Sequence, residues 1–150
     1  MNLPHYYHCL PWQSPHPTPE ESARFARKQQ FFNALQSLPR FEVRLGRLEF
    51  RGTDQNGNPI FEQKRVDILL GVDLVLLAAK QRISHAALFT GDSDFLPAIE
   101  VAKREGVIVN IFHGGKPHRD LITQADDHMQ LTLEVVNSWP SVQAASAKQP

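Results

Sequence analysis

The sequence predicts an α/β fold with a mainly parallel sheet, and three observations carry that expectation. Residues Ala86–Thr90 and Val107–Phe112 are apolar runs, the pattern of strands buried in a parallel sheet. Between them, Phe95–Glu105 reads as a helix that ends at Gly106 with Lys103 and Arg104 in its last turn. Strand, helix, strand in that order is a right-handed βαβ unit.

The other elements follow in chain order. His5–Leu10, with Tyr6 and Tyr7, reads as a short strand. Pro11–Pro19 is a proline-rich loop, and Thr18-Pro19-Glu20-Glu21 combines a Thr cap, Pro at the first helical position and Glu three residues after the cap. That helix is expected to run to Leu38, where Pro39 stops it. Its apolar residues Phe25, Phe32, Leu35 and Leu38 keep helical spacing, and Arg24, Arg27 and Lys28 lie on other parts of its surface. Phe41, Val43 and Leu45 alternate with polar residues; after Gly46 the phase shifts to Leu48 and Phe50, which predicts a bulge at the glycine. Asp54–Pro59 is turn chemistry leading into a short strand over Ile60–Gln63. Val66–Lys80 is apolar almost all round, the mark of a helix buried on most sides. A last helix is expected over Arg119–Val135. Residues 1–137 are read as one domain, and residues 138–150, rich in Ser, Ala, Gln and Pro, as an unstructured tail.

Composition narrows the class. A chain of 150 residues, 41% hydrophobic and 21% charged, is that of an ordinary globular protein with one core. Its longest apolar stretch, Val66–Ala79, is interrupted by Asp67, Gly71 and Asp73, and is too short and too acidic to span a bilayer. Nothing at the start resembles a secretion signal. The lone Cys9 excludes an internal disulfide and a thiolate zinc cage. A cytoplasmic protein with no membrane partner is expected. Net charge is zero, yet residues 1–65 carry nine Lys/Arg against six Asp/Glu, and residues 66–150 carry seven against ten. A basic half beside an acidic half suits a polyanion-binding face next to a metal-binding one, though an excess of this size also arises by chance.

The acids gather at one place in the pattern. Ligands of an open parallel sheet bind beyond the carboxyl ends of its strands. Ala86–Thr90 ends in Gly91-Asp92-Ser93-Asp94-Phe95, where Gly91 permits a sharp turn and two carboxylates two residues apart can converge on one cation. Asp67, at the start of its helix, is expected at the same edge. Three carboxylates near one point repel one another unless a cation neutralises them. Hard oxygen ligands with room for water select Mg2+ or Mn2+, and such ions support phosphodiester cleavage. Each aspartate, or Ser93, can equally serve as a helix cap. Asp73 lies six residues beyond Asp67, about 9 Å of rise and about 120° of rotation away, so it is expected to pair with an arginine or to orient a ligand.

Taken together, Gln63-Lys64-Arg65-Val66-Asp67, then Asp73, then Thr90-Gly91-Asp92-Ser93-Asp94-Phe95 and Gly106-Val107 resemble the NYN domain, a branch of the PIN-like nucleases. The upstream run Lys28–Leu35, Leu38-Pro39 and Leu45-Gly46 is similar to the same family, and the likeness covers about residues 5–135. The resemblance implies a three-layer α/β/α PIN-like (Rossmannoid) fold and a metal-dependent ribonuclease whose acidic positions are Asp67, Asp73, Asp92 and Asp94. Metal is implied at Asp67, Asp92 and Asp94. The family's first strand, which bears an early Asp followed closely by an Asn, has no counterpart in these residues: Asn2 follows no Asp, so the expectation is either a protein that starts upstream or a shortened form with an open sheet edge. Such an edge invites a second copy or a partner chain, and an inactive module that binds RNA or protein is the alternative to an enzyme.

For the RNA, Lys64, Arg65 and Ser93 are the expected substrate contacts. Arg24, Arg27, Lys28, Arg44, Arg47 and Arg51 are candidates for sequence-independent phosphate binding. Tyr6, Tyr7 and Trp12 are candidates for stacking on bases or for core packing. His113–His118 is expected to be a flexible loop near the site.

Overall fold

A computed structural model describes residues 3–140. Met1 and Asn2 lie outside the described residues, as do residues 141–150, on which most of the tail reading falls. The chain divides into two compact units, Met1–Ile83 and Ser84–Pro150.

In the first unit, β1 (His5–His8) pairs in parallel with β2 (Glu42–Leu45), with Tyr6 opposite Val43 and Tyr7 opposite Arg44. Between them runs α1 (Pro19–Gln36), opened by the expected capping box: the Thr18 hydroxyl accepts from the Glu21 amide, and the Glu21 carboxylate accepts from the Thr18 amide. Strand alternation then sorts the side chains. Tyr6 and His8 meet Phe32 of α1, whereas Tyr7 reaches Asp73 of α2 (Val66–Ala79). The two helices therefore cover opposite faces of this small sheet.

After β2 the phase change at Gly46 has a different cause from the one expected. The chain leaves one sheet for another: β3 (Arg47–Thr53) pairs antiparallel with β4 (Pro59–Lys64) in a separate hairpin. A Cβ at Gly46 would collide with the Lys64 carbonyl oxygen and the Val66 side chain, so the glycine answers close packing. The irregularity in pairing falls instead between Phe50 and Thr53. The hairpin turn is as expected, with Asp54 Oδ1 accepting from the amides of Asn56 and Asn58.

The expectation that the Val66–Lys80 helix is buried on most sides is corrected. Only Leu74 and Ala78 of α2 are fully buried, while Ile68, Val72 and Leu76 are 70%, 55% and 46% exposed. A helix laid on one face of a two-stranded sheet buries one stripe, however apolar the rest is.

In the second unit, β5 (His85–Phe89), β6 (Ile108–His113) and β7 (Asp127–Gln130) form a parallel sheet in that order, with α3 (Leu96–Arg104) between the first two. The parallel βαβ reading holds. Burial alternates along β5 and β6, however, instead of being continuous: Val109, Ile111 and His113 are buried while Phe89 is 63% exposed. The single helix expected over Arg119–Val135 is corrected to α4 (Arg119–Gln124), β7 and α5 (Leu133–Ser138). Asp126 breaks the helix by joining the sheet: its amide donates to the Val109 carbonyl, and its carboxylate accepts from the Val109 amide and pairs with Lys103. Ser138, read as the start of the tail, closes α5.

Candidate functional site

The residues singled out by the sequence divide between the units, and each group is built by its own element. Asp92-Ser93-Asp94 leaves β5 through Thr90 and Gly91, then enters a single 3-10 turn, Ser93–Phe95, that leads into α3. The Thr90 hydroxyl accepts from the Asp92 amide at 3.1 Å, and Asp92 Oδ1 accepts from the Asp94 amide at 2.9 Å. The capping role open to these acids therefore falls to Asp92, through one of its two oxygens. Both aspartates are exposed. The second oxygen of Asp92 and both oxygens of Asp94 accept no protein hydrogen bond among the described residues, which leaves them available as hard ligands. Ser93, between them, is half-buried.

The loop after β6 supports this turn. The His118 amide donates to the Gly91 carbonyl at 3.4 Å, and the space where a Cβ on Gly91 would stand is 3.8 Å from Pro117 Cα. The Pro117-His118 segment is thus fastened to the acidic turn. His118 Nδ1 accepts from the Asp120 amide at the start of α4, so a neutral ring carries its proton on Nε2. His113 ends β6 fully buried, its Nδ1 against the Gly114 carbonyl and its Nε2 without a partner among the described residues.

In the first unit, Lys64, Arg65 and Asp67 straddle the junction of β4 and α2. Arg65 caps the helix in the left-handed region, φ 74°, which is costly for a side-chain-bearing residue, and its cap makes no side-chain hydrogen bond. Sequence reading missed that conformation because no Gly or Asn marks it. Asp67 is exposed in the first turn of α2, where a carboxylate also complements the helix dipole. Nearby, burial pushes the Cys9 thiol pKa up; a backbone hydrogen bond at Lys64 opposes the shift and the charge of Asp67 adds to it. Lys64 Nζ is held by the Glu62 carboxylate, so a phosphate drawn to Lys64 competes with that ion pair.

Asp73 is engaged within the fold. Its oxygens accept from Arg44 Nη2 and the Tyr7 hydroxyl, with Arg44 Nε also at 3.1 Å. This is the arginine partner its place in an apolar helix called for. The tyrosine was not foreseen, because a residue 66 positions away leaves no mark on the local pattern.

Within either unit, no three His, Cys, Asp or Glu side chains among the described residues gather as a metal-ligand set. The chemistry of Asp92 and Asp94 nonetheless fits a hard divalent cation, since both offer carboxylate oxygens not committed to the protein. No helix among the described residues is long and apolar enough to cross a membrane.

Comparison with known proteins gives one decisive result. No curated protein and no solved structure matches the chain. The family model for the NYN domain, however, matches residues 15–132, a span that contains α1, the β3–β4 hairpin, Asp67, Asp73 and the Asp92–Asp94 turn. The chain belongs to the NYN domain family, which is of the PIN-like nuclease type.

Proposed function

We propose that this chain is a cytoplasmic, metal-dependent ribonuclease that hydrolyses RNA phosphodiester bonds, folded as the three-layer α/β/α sandwich of PIN-like proteins. One observation carries the reading: in a chain of a nuclease-type family, the turn after β5 presents Asp92 and Asp94 exposed, with carboxylate oxygens left free by the fold. Together with Asp67 they are the residues that would hold Mg2+ or Mn2+. When bound, such an ion supplies an activated water and neutralises charge on the leaving oxygen.

The other residues bind and orient. Asp92 contributes one oxygen to the 3-10 turn, which holds the Asp94 backbone amide in place. Arg65, exposed at the head of α2, pairs with no carboxylate among the described residues and is suited to hold the substrate phosphate, with Lys64 and Ser93 as further contacts. Asp73 acts at a distance, by fixing α2 to the sheet through Arg44 and Tyr7. Hydrolysis adds water across the bond: its oxygen joins phosphorus, the P–O bond to the leaving nucleoside breaks, and the proton passes to that oxygen.

The test compares wild type with Asp94→Asn on single-stranded and structured RNA, with Mn2+ and with chelator. Cleavage by wild type that is lost in both the variant and the chelated sample supports the enzyme. A second reading, an inactive module that binds RNA or a partner chain through an open sheet edge, draws on the lack of a three-ligand group among the described residues of either unit. Wild-type protein that cleaves nothing in Mn2+ decides for it.

A further inference from the structure

Six cations were legible as phosphate contacts, and the fold divides them evenly. Arg44 is forked onto Asp73 and also pairs with Glu42 at 3.2 Å. Arg51 pairs with Glu49 at 3.2 Å and Glu62 at 2.6 Å, and Arg47 lies 3.9 Å from Glu49. These three have their charge answered by acids on their own sheet and, for Arg44, by Asp73 of α2. Arg24, Arg27 and Lys28, all on α1, form no ion pair among the described residues. Glu21 lies within the influence of Arg24, but its carboxylate is taken up by the Thr18 amide and the Ser14 hydroxyl.

The three cations share one sector of α1 with a ring. With 3.6 residues per turn, positions 24, 27, 28 and 31 fall within about 100° of the helix circumference. Phe31 is 46% exposed in that sector, next to Phe32, which is buried. Lys28 Nζ lies 5.4 Å from the Phe31 centroid and 5.3 Å from that of Phe32, and Tyr6 braces Phe31 edge-on at 5.9 Å. A single exposed aromatic is ordinary. A braced ring on the same strip as three cations without ion pairs among the described residues matches a chain of flat rings joined by phosphates. The other stacking candidates are already spent: Tyr7 on Asp73, and Trp12 on Phe50 and Phe61.

We infer that the outer strip of α1 formed by Arg24, Arg27, Lys28 and Phe31 is a docking surface for single-stranded RNA, with phosphates on the cations and a base stacked on Phe31. A duplex hides its base faces, so the ring selects unpaired strands. The inference takes from the proposed function only that RNA is the polymer, and it does not require cleavage.

The test uses the full chain in chelator, so that nothing is cut, and measures anisotropy of a labelled oligouridine single strand over a range of salt. Circular dichroism melting of each variant checks the fold. R24E/R27E is expected to weaken binding at least tenfold and to make the slope of log K against log salt shallower by about 1.4, since each single-strand phosphate contact accounts for about 0.7. Phe31→Leu, which keeps the apolar contact with Tyr6, is expected to weaken binding about fivefold or more with the salt slope unchanged. A labelled duplex is expected to bind at least tenfold more weakly than the single strand. Variants that bind like wild type, a duplex that binds equally well, or polyglutamate that competes as well as RNA would each overturn the inference. If wild type cleaves RNA while the α1 variants bind normally, the docking surface fails and the ribonuclease stands. If wild type cleaves nothing and the α1 variants lose binding, the surface stands and the ribonuclease fails.

Discussion

Arg44 on β2 forks onto Asp73 in the middle of α2, Nη2 at 3.1 Å from one carboxylate oxygen and Nε at 3.1 Å from the other, and the Tyr7 hydroxyl donates to the same carboxylate at 3.0 Å. A charge set within an apolar helix is thereby tied to both strands of its sheet.

Asp73→Ala is expected to destabilise the first unit by about 2 kcal/mol, the usual cost of stranding hydrogen-bonded charges. Urea unfolding followed by circular dichroism measures it. Loss of RNA cleavage with stability unchanged would instead make Asp73 a direct participant in the chemistry.

Tyr7 leads to a spectroscopic prediction. Burial, then the charge of Asp73 and the hydrogen bond to it, hold the hydroxyl proton well above the ordinary tyrosine range. The folded state therefore favours the protonated phenol. Its contribution is complete below the ordinary pKa of about 10 and is lost as pH rises beyond it, because the unfolded chain ionises first. Alkaline titration at the phenolate absorbance band should show one tyrosine ionising late or together with unfolding, and Tyr7→Phe should remove that component.

Asp92 separates capping from metal binding. Asp92→Asn keeps an oxygen for the Asp94 amide, whereas Asp92→Ala loses the cap at a cost of about 1 kcal/mol. Thermal melts should therefore place Asn near wild type and Ala below it. Calorimetric Mn2+ titration should show both variants weakened, since both lose the carboxylate charge.

At Gly46 an added methyl has no room beside the Lys64 carbonyl and Val66. Gly46→Ala is expected to cost about 1–3 kcal/mol by overpacking. Because the obstructed residues lead into α2, hydrogen exchange should quicken at the helix start that carries Arg65 and Asp67.

Features whose physics is local were legible in the order of the residues. The Thr18–Glu21 capping box, the Asp54 turn, the βαβ order of the second unit and the Thr90–Asp94 turn are each written within a few residues, because caps and turns need particular side chains at fixed short offsets. The residue motif of the family was legible for the same reason, and the matched span from 15 to 132 bears it out. Whatever depended on a distant partner emerged only in the folded chain. A helical reading of Arg119–Val135 looked sound until Asp126 and β7 found the free edge of β6, and the uniformly apolar α2 met only one sheet face. The sharpest case is charge. Six cations look alike along the chain, yet acids brought from as far as 29 residues away neutralise Arg44, Arg47 and Arg51 and leave Arg24, Arg27 and Lys28 without ion pairs among the described residues. An ion pair acts over a few ångströms of space, and only the folded chain decides which residues stand that close.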